Sequence, residues 1–263
     1  FAAKGLEKEL GKENIAYILV SYLPIPSHIE EMKTKPTQLS IKLLEESGIH
    51  PDFILCRGKN ALDSVRKRKI ELYANIRSDR VISMPDVIGE GTPNTLYVIP
   101  LDLEKERLGE KLLESFRLQK RRTPDWGEWI HSIGNILNPR DEVHVALVGK
   151  YLDIGDYTLK DSYISIYESL KHAGAKNNVR VKVSWIDAKE LERHEAYSSL
   201  LKGFNGIIVP GGFGASGVEG KIRAIQFCRE NKMPYLGLCF GLQLAVVEYA
   251  RHMANMPEAH TTE

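Results

Sequence analysis

The stretch most suggestive of chemistry is Pro234-Tyr-Leu-Gly-Leu-Cys239-Phe-Gly-Leu-Gln243. A short apolar run leads into Gly237-x-Cys239-x-Gly241, and a helix-forming sequence follows at once. This is the cysteine form of a nucleophile elbow, a sharp strand-to-helix turn that lifts one side chain above a sheet edge. The flanking glycines leave room for a turn that the nucleophile itself must occupy in a strained conformation. At the amino end of the helix, the dipole and the free backbone amides favour thiolate over thiol. The same amides can bind the oxyanion of a tetrahedral intermediate, and one such donor typically contributes about 3–4 kcal/mol. The plainer alternative is a small buried hydrophobe, the usual fate of a cysteine. That reading is adopted for Cys56 and Cys228, which lack the glycine spacing.

Two further segments could carry chemistry. Val209-Pro-Gly-Gly-Phe-Gly214 closes an apolar run, and backbone so rich in glycine can approach a substrate closely. Any loop can use such a turn; beside an elbow it reads as a second wall of an oxyanion hole. Near the other end, Glu31-Met-Lys33-Thr-Lys35-Pro-Thr37-Gln38 sets two ammonium groups and two hydroxyls together, with Pro36 expected to hold Lys35 extended. A nucleoside triphosphate needs such donors; by itself the segment reads equally well as a solvated basic turn. Lys69 lies 31 residues beyond Gln38, among Arg66, Lys67 and Arg68, which also read as a charged helix face.

The elements that must position these residues form two strand–helix series. In the first half, Ile15–Leu23, Phe53–Cys56, Val81–Met84 and Thr95–Ile99 are short apolar runs, with helical patterns over Gln38–Ser47 and Ala61–Asn75. Near-continuous apolar runs are what strands of a buried parallel sheet look like. In the second half, strands are expected at Val143–Gly149, Val181–Ile186, Gly206–Val209 and Tyr235–Leu238. A helix from Tyr163 is expected to end at Gly174. The expected fold class is therefore α/β, two domains, each an open and mostly parallel sheet flanked by helices. Residues 1–103 form the first domain, 104–140 a densely charged linker pinned by Trp126 and Trp129, and 141–263 the second.

Bulk properties exclude more than they assign. The chain has 263 residues, and 36 Lys and Arg nearly cancel 35 Asp and Glu, so no overall field points to nucleic acid or an anionic membrane. Three scattered cysteines give neither a disulfide framework nor a metal cluster, which favours a reducing, cytoplasmic setting. No apolar run of about 18 residues announces a membrane span. The opening Phe1-Ala2-Ala3-Lys4 carries no initiator Met and reads as the continuation of something larger.

Together, Pro210-Gly-Gly-Phe-Gly214 and Gly237-Leu-Cys-Phe-Gly241 resemble the class I, triad-type glutamine amidotransferases. Val218-Glu-Gly-Lys221, Tyr249-Ala-Arg-His252, Ala254-Asn-Met256, Thr262-Glu263 and Lys33-Thr-Lys-Pro-Thr-Gln38 resemble, within that class, the CTP synthase family. The resemblance implies Cys239 as nucleophile, with Gly212, Phe240, Gly241, Leu242, Gln243 and Glu263 shaping a glutamine pocket. It assigns Lys33, Thr34, Lys35, Pro36, Thr37, Gln38 and Lys69 to UTP and to CTP as feedback inhibitor, and Arg57 and Val87, with Asp86 the weaker match, to ATP. It implies ATP with Mg²⁺, the phosphate loop and magnesium carboxylates lying before Phe1. It also implies homotetramers, filaments as a further assembly, and a protected path for ammonia. Ser216 departs from the family's usual arginine, which weakens GTP as an allosteric activator here. The base expected by resemblance, a histidine in a His-Pro-Glu motif, lies downstream of Glu263. His252 and His260 are read as surface residues, one on the elbow helix and one in the tail. Two rivals stay open: the glutaminase of another class I enzyme fused to an unrelated domain, and a non-catalytic assembly or regulatory module.

Overall fold

The computed structural model describes residues 1–29, 31–89, 91–149, 153–154, 157–158, 163–212, 214 and 216–262. The chain divides into two compact units, Phe1–Trp126 and Gly127–Glu263.

The first unit contains α1 (Ala2–Leu10), β1 (Ile18–Tyr22), α2 (Lys35–Glu46), β2 (Phe53–Gly58), α3 (Ser64–Ala74), β3 (Val81–Pro85), α4 (Ile99–Lys105) and α5 (Leu108–Ser115). Its sheet runs β1-β2-β3, all parallel, with Ile18 opposite Phe53 and Ile54 opposite Val81. Successive side chains of β2 point to opposite faces, so Ile54 and Cys56 join Ile41, Ile70 and Val81, while Phe53 joins Ile82, Met84 and Leu108. The Asp63 side chain caps α3 by accepting the Arg66 N–H at 2.8 Å, and Asn75 ends that helix in a left-handed conformation.

Two expectations fail here. Thr95–Ile99 is no strand: a 3-10 turn over Leu96–Val98 leads into α4, with Thr95 accepting the Tyr97 N–H and Pro100 in the first helical turn. Proline lacks the N–H a central strand needs but suits the start of a helix. The charged stretch read as a linker is not one segment either. Leu108 and Leu112 of α5 pack with Phe53, Ile82 and Met84, so this part belongs to the first unit, and the division falls after Trp126.

The second unit contains α6 (Gly127–Leu137), β4 (Asp141–Gly149), the short antiparallel pair β5 (Asp153–Ile154) and β6 (Tyr157–Thr158), α7 (Ile164–Asn177), β7 (Val179–Asp187), α8 (Ala188–Arg193), α9 (Ser198–Leu201), β8 (Gly206–Val209), α10 (Val218–Asn231), β9 (Tyr235–Gly237) and α11 (Phe240–Met253). Its main sheet has the order β7-β4-β8-β9, all parallel. From β4 the chain goes first to one side and then to the other, so a crevice opens at the carboxyl ends of β4 and β8. The α7 helix runs past Gly174 to a left-handed Asn178. Gly174 is there because a Cβ would stand 2.5 Å from the Val179 carbonyl oxygen, not as a terminator.

An ionic clamp joins the last two helices. Arg229 on α10 donates to Oε1 of Glu248 on α11 from Nε at 3.0 Å and Nη2 at 2.9 Å. Glu248 is 1% exposed, and His252 Nδ1 lies 3.0 Å from the same oxygen. Removing the arginine strands a buried carboxylate, whereas removing both partners does not. Arg229→Met is expected to lower stability by about 3 kcal/mol in urea denaturation, with Arg229→Met/Glu248→Met recovering most of the loss. Equal stability of Arg229→Met and the unaltered protein would show that the pair contributes nothing.

Candidate active site

Cys239 sits between β9 and α11 with φ 51° and ψ −111°, outside the left-handed well that non-glycine residues sometimes use. Such a conformation costs on the order of 1–3 kcal/mol and persists only where its surroundings dictate it. Those surroundings are backbone. A Cβ on Gly237 would stand 2.7 Å from the Gly241 carbonyl carbon and oxygen and from the Leu242 nitrogen; one on Gly241 would stand 2.0 Å from the Val209 carbonyl oxygen. The Leu238 N–H donates to Val209 O at 2.9 Å, the Gly241 N–H to Leu238 O at 2.9 Å, and the Tyr235 hydroxyl to Gly241 O at 2.7 Å. Strand end, turn and helix start are thereby laced together, and the thiol emerges exposed at the amino end of a 14-residue helix.

The other two thiols differ. Cys56 and Cys228 are buried, and burial pushes both up to about 12. Their protonated, inaccessible state is that of structural cysteines.

The glycine-rich turn lies where the sequence places it. β8 pairs with β9, Val209 opposite Gly237, so Pro210 and Gly211 follow directly beside the elbow. A Cβ on Gly211 would stand 3.4 Å from the Cys239 Cβ and 3.8 Å from its sulfur. Gly212 is half-buried, while Phe213, Ala215 and Glu263 lie outside the described residues. Phe240 is 1% exposed with its ring in the core, leaving it the backbone N–H with which to serve a substrate. Gly241 is buried, and Leu242 and Gln243 are exposed on the first turn of α11. Among the described residues no histidine hydrogen-bonds to Cys239: His252 lies against Glu248, and His260 Nδ1 lies 2.9 Å from the Thr261 N–H.

Sequence reasoning missed two groups that touch the backbone of this site, the Tyr235 hydroxyl on Gly241 O and the Lys221 ammonium on Pro210 O. Lys221 left a legible signal, a lysine among the apolar positions of α10.

In the first unit a second group gathers at the carboxyl ends of the strands. Arg57, at the end of β2, donates from Nη2 to Asp86 at 3.2 Å, and the Tyr22 hydroxyl reaches the other Asp86 oxygen at 3.4 Å. Val87 next to them is buried. The Lys33 segment is not one extended loop: Lys35 is the first residue of α2, Pro36 lies in its first turn, and the Gln38 N–H bonds to Thr34 O at 3.0 Å. Proline there gives up an N–H that would have had no acceptor, which offsets its bias against a helical Lys35. Thr37 is fully buried and accepts a hydrogen bond from Ser21 at 2.9 Å, whereas Lys35 is exposed at the helix amino end. Lys33 donates to Glu31 at 2.6 Å; Arg66 donates to Glu31 at 3.1 Å and to Met32 O at 2.8 Å. The Lys33 hydrogen bond, with Arg66 beside it, holds the Glu31 carboxyl below the usual carboxylate range. Arg66 thus fastens the loop to α3 one turn before the exposed Lys69. Among the described residues no cluster of three or more His, Cys, Asp or Glu side chains could hold a metal ion.

Comparison with known proteins bears on both halves. Residues 1–118 match the family description CTP synthase N-terminus, and residues 158–263 match Glutamine amidotransferase class-I. The CTP synthase of Pyrococcus abyssi is 46% identical over 262 residues, covering 100% of this chain and 46% of the relative. The chain belongs to the CTP synthase family. The CTP synthase of Methanopyrus kandleri is 43% identical over 263 residues, covering 100% of this chain and 47% of that protein. That of Caldanaerobacter subterraneus is 43% identical over 255 residues, or 97% and 45%. A solved Trypanosoma brucei CTPS glutaminase domain with bound acivicin is 40% identical, with a TM-score of 0.39 over 42% of this chain and 41% of that one. The chain spans about half the length of the CTP synthase relatives it matches. A family match on residues 1–118 as well as 158–263 disfavours a glutaminase fused to an unrelated domain.

The thiols give a direct check. An aromatic disulfide reagent at about pH 8 is expected to titrate one thiol in the folded protein and all three after denaturation. Cys239→Ala should abolish the folded-state reaction. A fast-reacting second thiol would contradict the burial of Cys56 and Cys228.

Proposed function

We propose that this chain contributes to glutamine-dependent CTP synthesis, its second unit as part of the glutaminase and its first as part of the UTP- and ATP-binding synthetase. The observation that carries the reading is Cys239, exposed on a strained turn between two laced glycines, with Gly211 backbone beside its sulfur.

The Cys239 thiolate attacks the side-chain amide carbon of glutamine. Negative charge moves to the amide oxygen, where the amide N–H groups of Phe240 and the Gly211–Gly212 turn are placed to receive it. The carbon–nitrogen bond breaks as the nitrogen takes a proton, ammonia leaves, and a thiolester remains. Water then releases glutamate. By family resemblance a histidine outside this chain carries the protons. Gln243, one helical turn past Cys239 and exposed, is within reach of a substrate at the thiol and serves its polar end in this reading.

In the first unit, Lys33 and Lys35 flank the amino end of α2, a favourable place for phosphates, and Lys69 follows Arg66 by one turn of α3. Thr34 and Gln38 border that end; Thr37 serves by holding α2 to β1 through Ser21 rather than by touching nucleotide. Arg57, Asp86 and the Val87 backbone mark the ATP side. ATP activates the uracil 4-oxygen of UTP as a phosphate ester, and ammonia displaces phosphate to give CTP. A reducing cytoplasm keeps such a thiol competent, and assembly as a homotetramer rests on the family resemblance.

Two measurements test this. In the full-length protein, Cys239→Ala should cut glutamine-dependent CTP formation by about 10³-fold or more, while turnover supplied with free ammonia stays near normal. Persistent glutamine use would remove Cys239 as the nucleophile. By calorimetry, Lys35→Ala should weaken UTP binding roughly tenfold, about 1.4 kcal/mol; unchanged affinity would take Lys35 out of the nucleotide site.

A further inference from the structure

Lys221 is 0% exposed, which is rare for a lysine, and it lies on α10 among Val218, Ile222 and Ile225 of the core. A methionine would fill the same space without taking an ammonium group out of water, so the cation needs a reason to be there. Its Nζ donates to the Pro210 carbonyl oxygen at 3.4 Å and lies 5.5 Å from the centre of the Phe240 ring, within range of a cation–π attraction. These two partners flank the proposed reaction centre from different elements. Phe240 follows Cys239 directly. Pro210 O belongs to the same peptide group as the Gly211 N–H, and Gly211 is the residue packed against the Cys239 side chain.

A peptide group is planar, and in the trans form its C=O and N–H point to opposite sides. The chain has no cis peptide among its described residues. Fixing the Pro210 carbonyl therefore fixes the direction of the Gly211 N–H. We propose that Lys221 is a positioning residue for the glutaminase step: it locks the Pro210–Gly211 peptide and the Phe240 ring in one arrangement, so that the amides beside Cys239 are already aimed when charge develops on the substrate oxygen. The proposal rests on Cys239 being the glutamine nucleophile. Because preorganised donors act on the transition state more than on the bound substrate, losing the lock lowers kcat and leaves KM nearly unchanged.

The test uses full-length protein carrying Lys221→Met, Lys221→Gln or Cys239→Ala, assayed with glutamine and, separately, with free ammonia. Lys221→Met is expected to lower the glutamine kcat by roughly 10- to 100-fold with KM within about twofold and ammonia-supported turnover retained. Lys221→Gln keeps a donor for Pro210 O and is expected to recover part of the lost kcat. Undiminished glutamine kcat in Lys221→Met overturns the proposal. So does equal loss in the Met and Gln variants, or loss of ammonia-supported turnover in both, which would make Lys221 a residue of the fold. Cys239→Ala separates the two claims. If it retains glutamine use, the nucleophile assignment has failed; if it loses glutamine use while Lys221→Met does not, only the role of Lys221 has failed.

Discussion

Helix α11 comes so close to strand β8 that a single methyl group cannot be placed between them: a Cβ at Gly241 would stand 2.0 Å from the Val209 carbonyl oxygen. That approach governs the rest of the site. It brings the first turn of the helix back over the end of β9, where Gly237 is tight against Gly241 and Leu242 for the same reason. With both flanks pinned, Cys239 has no relaxed conformation available and takes φ 51° and ψ −111°. The strain, on the order of 1–3 kcal/mol, is offset by the packing of Phe240, Leu244 and Val247 into the core below. The outcome is a thiol held outside the sheet while its neighbour Phe240 is buried.

Charge plays a supporting part. In the second unit one buried cation, Lys221, lies behind the two turns that flank the thiol, and a buried carboxylate, Glu248, ties the helices that carry them. In the first unit the charged groups are half-buried or exposed, and they pair with one another. Lys33 and Arg66 share Glu31, and Arg57 shares Asp86 with Tyr22. Pairs of that kind open readily when an anion competes, which suits the nucleotide site proposed for this unit.

Much of this was legible in the sequence because it depends on short-range rules. Glycines spaced around Cys239 announce an elbow, and apolar runs such as Gly206–Val209 announce buried strands. What stayed hidden depends on contacts across the fold. The run Thr95–Ile99 is apolar enough for a strand, and the exception to that rule is local: Pro100 directly after it favours a helix start. Gly174 looks like a terminator until Val179 is seen against it. The charge of residues 104–122 hides Leu108 and Leu112, whose burial depends on β2 and β3. Thr37 reads as a ligand hydroxyl, yet Ser21, 16 residues away, takes it. Lys221 stands out in the sequence as a lysine among apolar positions; its contact with Pro210 needs the neighbouring strand end to be seen.

The account stands on the Cys239 sulfur being the one thiol presented to a glutamine-sized substrate. The most direct measurement is peptide mapping by mass spectrometry after full-length protein is treated with an electrophilic glutamine analogue, with and without excess glutamine. A single adduct on Cys239 that glutamine suppresses is the predicted result. Adducts on Cys56 or Cys228, or labelling of Cys239 indifferent to glutamine, would contradict it.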